Sequence, residues 1–365
     1  MRKKKIKPVL GQALIYLTLL IITPFICMTF VRAANPADIE EVVVTVETVP
    51  VQIKAEFKII TDDSFFESSD GLHIPPASDD EEVDTIPAIP AIPDSPAPAG
   101  IGKIEVITYG QMEGSSYINL DYGQIRNMTA FDNNEIKETA LQSPGVKFLR
   151  DGSPEILIYH THATEGYLPD GSESFDPDFA FRSVDKSINM VAVGKAITDE
   201  LTKAGFGVIH DETLFDEESY TGAYEASRAA VKEHLAANPG IKLVLDVHRD
   251  AIVRSETEIA APTVVIDGKN AAQIMIVSNC DGESLKYPIP LFRENLKIAA
   301  AINETACEGY EGLMRPLLFD YRQYNQDLSP GALLIEVGGH GNTLSEALYS
   351  GELFGKAIAV ALQQH

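Results

Sequence analysis

EILIYHTHATEGY (residues 155–167) runs four apolar side chains into two histidines one residue apart, with a glutamate three residues after the second. A short apolar run of this kind reads as a buried strand. Buried strands belong to mainly parallel sheets covered by helices. The end of such a strand is where chemistry would sit, because ligands in open parallel sheets bind beyond the carboxyl ends of the strands. Taken alone, the stretch does not say whether its histidines hold a metal or only close a strand.

Outward from this stretch, strand and helix patterns alternate. Residues 183–204 place Ile188, Val191, Ile197 and Leu201 on roughly one helical face, with Gly205 suited to the cap. FGVIH (206–210) reads as a strand, residues 220–237 as a helix closed by Asn-Pro-Gly, and IKLVLDVH (241–248) as a strong strand. APTVVIDG and AAQIMIVSN read as further strands, joined as a hairpin across residues 267–270. Residues 291–308 are helical, ALLIEVGG (332–339) is a buried strand, and residues 343–363 form a last helix. The expected fold is α/β, a three-layer sandwich with a mainly parallel or mixed sheet between helices.

Three of these strands carry residues that can do chemistry. The first ends in His160-Thr161-His162 and continues to Glu165; the second ends in Asp246-Val247-His248-Arg249-Asp250; the third contains Glu336. Imidazoles and carboxylates gathered at one edge are what a catalytic zinc needs: three protein ligands and one position open to water. A lone histidine at a strand end is usually only a hydrogen-bonded structural residue. Glu336 in an apolar strand is harder to dismiss, because an ionised carboxylate is expensive to bury without a partner. The H-x-x-E spacing favours His162, Glu165 and His248 as ligands, with His160 as the rival for the first position and Asp185 as a weaker candidate. Asp246, two residues from His248, shares its face and can orient the ring.

The remaining composition bounds the setting. Of the formal charge of −25, a net −13 falls between residues 35 and 100, where fifteen Asp or Glu face two Lys. No basic footprint of a nucleic-acid binder is present. Three cysteines, Cys27, Cys280 and Cys307, make neither a disulfide framework nor a zinc motif. Residues 1–8 form a basic tail and residues 9–31 an uncharged apolar run long enough to span a bilayer. A signal peptide cleaved after Ala33 is the competing reading; the length of the apolar run favours an uncleaved anchor. Either way the bulk of the chain lies outside the cytoplasmic membrane. Residues 32–102, with DDEEVD followed by IPAIPAIPDSPAPAG, read as an acidic, proline-rich stalk, although residues 41–60 alternate as a small β element would. Residues 103–153 form a small lead-in and residues 154–365 the catalytic domain.

ILIYHTHATEGYLP (156–169), INMVAVGKAI (188–197), LVLDVHRDA (243–251) and YNQDLSPGALLIEVGGHGNTLSEAL (324–348) resemble the stage II sporulation protein P family. The resemblance covers about residue 127 to the C-terminus and includes the anchor-and-stalk layout. It implies a single-pass membrane protein with its catalytic domain extracytoplasmic, in the intermembrane space or septum of a sporulating cell. It implies Zn2+ as cofactor and peptidoglycan as substrate, cut at the amide between N-acetylmuramic acid and L-alanine. The implied fold resembles zinc amidases and zinc carboxypeptidases, and the implied partners are stage II sporulation proteins D and M during engulfment. A zinc endopeptidase acting on peptide cross-links and an inactive wall-binding scaffold are the alternatives. On the matching strand Glu336 would be the general base, while Arg249 and Asn325 would contact substrate. Arg249 beside Asp250 can equally form a structural ion pair, and Asn325-Gln326 a plain loop. Ala163 and Gly166 stand where the family more often has Thr and Ser, which puts substrate contacts in question but keeps Glu165.

Overall fold

A computed structural model describes residues 102–282 and 285–364. The basic tail, the apolar run, almost all of the acidic stalk and the alternating segment 41–60 lie outside them. Among the described residues no helix is long and apolar enough to cross a membrane. In chain order the elements begin with β1 (Gly102–Ile107), β2 (Tyr117–Asn119), β3 (Gln124–Asn127), α1 (Asn133–Ala140), β4 (Pro154–Tyr159) and β5 (Ser174–Phe175). They continue with α2 (Met190–Lys203), β6 (Gly207–His210), α3 (Ala223–Ala237), β7 (Leu243–Asp250), β8 (Val253–Ser255) and β9 (Glu258–Ile266). The last are β10 (Lys269–Ala272), β11 (Ile274–Asn279), α4 (Phe292–Gly309), β12 (Leu317–Asp320), β13 (Ala332–Gly339) and α5 (Leu344–Gln364).

Eight strands form a mixed sheet in the order β2-β3-β12-β11-β13-β7-β4-β6. β13, β7, β4 and β6 run parallel to one another, and β11 meets β13 antiparallel. Alternation along the strands sorts the side chains. Ile156, Ile158, Leu243, Leu245, Leu333 and Ile335 join one core with residues of α2, α4 and α5. Leu157, Tyr159, Val244 and Ala332 face the other way, against Val231 of α3. Among the described residues, α2, α4 and α5 with Ile136 and Ala140 of α1 therefore pack into the core on one face, and α3 covers part of the other. Each fully buried Leu or Ile contributes roughly 1.5–3 kcal/mol relative to exposure, so both faces are held mainly by apolar contact.

The lead-in is built into these layers. β3 pairs with β12 in the large sheet. β1 pairs with β9 in a five-stranded sheet that also contains β5, β8 and β10. Two expectations change in detail. The helix expected from residue 183 starts at Met190, because the Asn189 side chain accepts from Val191 N–H and caps it there. The expected hairpin exists, but it closes on Asp267-Gly268, whose φ values of 49° and 76° suit a two-residue turn. It joins β9 only to β10. At Gln273 the chain leaves that sheet and enters the other as β11. The fully buried Gln273 amide holds the crossing, accepting from Tyr109 N–H and donating to the Tyr109 and Gly312 carbonyls.

Candidate functional site

β7 and β13 are parallel neighbours in which His248 and Glu336 are direct register partners. Both side chains therefore project from the same face, the one that α3 covers only in part. A cavity of about 120 Å³ lies there, bounded by His162, Glu165, His248 and Glu336 and floored by Met275, Val277 and Leu334. Its wall includes Tyr220, Tyr224, Tyr324 and Arg322. The site is thus a hollow on a sheet face near the strand ends. A wider surface hollow of about 580 Å³ along α2 holds none of these residues.

β4 stops at Tyr159 and the chain turns at once, with Glu165 N–H donating to His162 O at 3.1 Å. The turn separates the two histidines. His160 is buried on the α2 side, its Nδ1 2.8 Å from Val247 O and its Nε2 2.9 Å from His210 Nε2. Since Nδ1 must donate to the carbonyl, His160 Nε2 accepts from His210. Burial first, and then His210, push His160 down to about 3. His162 instead enters the cavity, its ring perpendicular to that of His248 with centroids 5.4 Å apart. Tyr220 stacks on it at 4.1 Å.

His248 Nδ1 stands 3.9 Å from Glu165 Oε2. Its Nε2 is 2.8 Å from Asp246 Oδ1, off the line of a hydrogen bond. Burial disfavours the charged ring, but Asp246, then Glu165 and Glu336, outweigh it and raise His248 to about 9. Glu336 is raised to about 8, first by burial and then by Asp250 and Glu165, against the opposing charges of His248 and Arg315. Its Oε2 has no hydrogen-bond partner.

Among the described residues no group of three or more His, Cys, Asp or Glu is set closely enough to hold an ion. By type the donors fit zinc, since two imidazoles and a carboxylate line one cavity. Asp185 is not among them; its carboxylate caps the following turn through Ser187.

The two residues expected to meet substrate are engaged elsewhere. Arg249 lines the cavity, yet its guanidinium donates to the Gly166 and Phe181 carbonyls at 2.6 and 3.0 Å. Asp250 pairs with Arg315 at 2.8 Å, not with Arg249. Asn325, buried at φ 56°, donates to Tyr224 O and Ser227 Oγ, both at 3.1 Å. Gln326 is likewise occupied, by Asn279 N–H and Val277 O. Neither Asn325 nor Gln326 borders the cavity.

Sequence reasoning missed Asp216, the tyrosines and Arg322. Asp216 is fully buried behind His162, its Oδ2 3.7 Å from Nδ1. The signal was faint: LFDEESY is an acidic loop whose first carboxylate alone turns inward.

A family model described as stage II sporulation protein P matches residues 109–359. The stage II sporulation protein P of Bacillus subtilis (strain 168) is 32% identical over 246 residues, which make up 64% of this chain and 56% of that protein. The alignment therefore spans little more than half the length of that relative. Among solved structures, the N-acetylmuramoyl-L-alanine amidase from Clostridium difficile 630 is 13% identical with a TM-score of 0.32, over 58% of this chain and 96% of that one. The CwlD amidase from Clostridioides difficile, in complex with the GerS lipoprotein, is 15% identical with a TM-score of 0.32, over 57% and 97%. A metallo-carboxypeptidase from Burkholderia cenocepacia is 11% identical with a TM-score of 0.31, over 58% of each chain. Likeness at these scores carries no weight for this chain. The family match does, because it takes in the whole cavity, and the chain belongs to the stage II sporulation protein P family.

Proposed function

We propose that the chain is a cell-wall hydrolase, a zinc-dependent N-acetylmuramoyl-L-alanine amidase acting during sporulation. His162, Glu165 and His248 would hold the zinc. The observation that carries this reading is the register of β7 and β13, which sets Glu336 beside His248 in one cavity with Glu165. Family membership supports the peptidoglycan substrate. Anchorage through residues 9–31 in the cytoplasmic membrane, an extracytoplasmic catalytic domain, and action with stage II sporulation proteins D and M are part of the same proposal.

Bound zinc would polarise the scissile carbonyl and lower the pKa of a water to near 7. The rest falls to the chain's own groups. Glu336, buried and with a free oxygen, takes the proton of the attacking water and returns one to the leaving amine. Asp246 lies behind the His248 ring, 2.8 Å from Nε2, and Tyr220 covers one face of His162.

Digestion of purified peptidoglycan tests the reading. Stem peptides with a new N-terminal alanine, together with bare glycan strands, are expected. Cleaved cross-links with intact muramoyl-peptides would point to an endopeptidase instead, and no product at all would end the enzyme reading. Glu336→Gln should lower the rate by about 10²–10⁴-fold while zinc binding persists. A fully active Glu336→Gln would remove the residue from its role.

A further inference from the structure

Two threonines bracket His162, and each spends both of its donors on one buried carboxylate. Thr161 donates its N–H to Asp246 Oδ1 at 2.8 Å and its hydroxyl to Oδ2 at 2.7 Å. Thr164 donates its N–H to Asp216 Oδ1 at 3.0 Å and its hydroxyl to Oδ2 at 2.7 Å. Each carboxylate backs one imidazole of the cavity: Asp246 lies behind His248 at 2.8 Å and Asp216 behind His162 at 3.7 Å. The arrangement is crossed, because the loop that carries His162 also grips the carboxylate behind His248.

Hydrogen-bond direction extends the first grip outward. Arg228 Nη1 donates to Asn325 Oδ1 at 3.3 Å, which leaves the Asn325 amide to donate to Ser227 Oγ at 3.1 Å. Thr161 gives its single hydroxyl proton to Asp246, so across the 2.8 Å contact it can only accept, from a Ser227 hydroxyl that also has the Tyr224 carbonyl within reach at 3.2 Å. The row runs from Arg228 through Asn325, Ser227 and Thr161 to Asp246. On the other side Arg182 Nη1 donates to both Thr164 Oγ1 and Asp216 Oδ2 at 2.9 Å. A two-pronged donor holds a carboxylate in plane; His248 Nε2 and His162 Nδ1, the nitrogens that face Asp246 and Asp216, have no hydrogen-bond partner, so these carboxylates are placed to take the second N–H of each ring once its other nitrogen ligates a metal.

We propose that Thr161 and Thr164 are positioning residues, two clamps that hold Asp246 and Asp216 and through them set His248 and His162 before a metal enters. This deepens the zinc reading and rests on it.

The test uses the full-length protein labelled with ¹⁵N-histidine. Zinc affinity is read by chelator competition, and the imidazole nitrogens are followed in the metal-free protein. Thr161→Val should weaken zinc binding by about 10–100-fold and shift the ring signals of His248 but not those of His162. Thr164→Val should do the reverse to the rings. Thr161→Ser and Thr164→Ser, which keep the hydroxyl, should restore both properties. If Thr161→Val fails to fold, Ser227→Ala removes one link of the row and should still shift the His248 ring alone; if Thr164→Val fails, Arg182→Gln removes the donor shared by Thr164 and Asp216 and should shift the His162 ring alone. Valine variants that melt earlier but keep wild-type zinc affinity and ring signals would reduce the threonines to structural supports and overturn the proposal. Ring shifts as expected in a protein that takes up no zinc would leave the clamps standing and defeat the metal reading instead.

Discussion

His160 Nδ1 and Nε2 are both hydrogen-bonded inside the protein, to the carbonyl of Val247 and to His210. Replacing His160 by Leu strands both partners, and buried groups without partners cost about 1–3 kcal/mol each. Urea unfolding should therefore show His160→Leu to be about 2–4 kcal/mol less stable than wild type, with zinc still bound. His162→Ala should lose the zinc and change stability less. Loss of zinc from a folded His160→Leu protein would reverse the roles of the two histidines. Alternation alone could not separate the two in HTH, because it assumes that a strand continues, and here the strand ends at Tyr159; the preference for His162 rested on its spacing from Glu165. Glu165, His248 and Glu336 were legible only together: one strand-end histidine says little, but imidazoles and carboxylates on three neighbouring apolar strands, one of them a carboxylate inside its strand, have few bland explanations. Asp216 and Tyr220 were not: they reach the site from a loop, and no periodicity says which way a loop side chain turns.

Helix α2 approaches β4 closely at Gly194. A Cβ at that position would lie 2.4 Å from the His160 ring and 2.7 Å from His210 Nε2. Alanine in a helix interior gains about 1 kcal/mol over glycine, but overpacking of a tight site costs about 1–3 kcal/mol. The clash should win, making Gly194→Ala net destabilising in thermal unfolding. A rise in midpoint would mean that the histidine pair yields easily. Elements with strong apolar runs or long helical periods were legible to within a few residues: β13 matches ALLIEVGG, and α4 begins one residue after its expected start. The short strands β2, β3 and β12 were not, because three or four residues carry no resolvable period. AAQIMIVSN looked like one strand because nothing in its hydropathy marks Gln273; the break is dictated by hydrogen bonds to Tyr109 and Gly312, far away in sequence.

The molecule as a whole should be acid-labile for an identifiable reason. Burial works to raise Glu155, but Lys242 at 2.7 Å and the N–H groups of Leu149 and Arg150 outweigh it and hold its carboxyl below the ordinary value. Asp211 is lowered in the same way: burial opposes, and Thr213 and His234 prevail. A depressed folded-state pKa adds stability that is complete above the unfolded value of about 4 and is lost as pH falls through the folded one. Denaturation followed from pH 6 to pH 2 should show stability falling mainly below about pH 4. The fall should be shallower in Glu155→Gln, which has already lost this contribution; an equal slope would assign the lability elsewhere.

The strand order has a consequence for how the chain is made. β13 lies between β7 and β11, yet it is the last strand in chain order among the described residues. Until residues 332–339 are available, the β7 side of the large sheet and the β11 side have no strand to join them. Pairings of such long sequence separation form slowly. That same closing strand carries Glu336. An unfinished chain therefore lacks both the keystone of its sheet and the proposed base, so cutting power would arrive only with completion, a built-in safeguard for a protein whose proposed substrate is the wall of the cell that makes it.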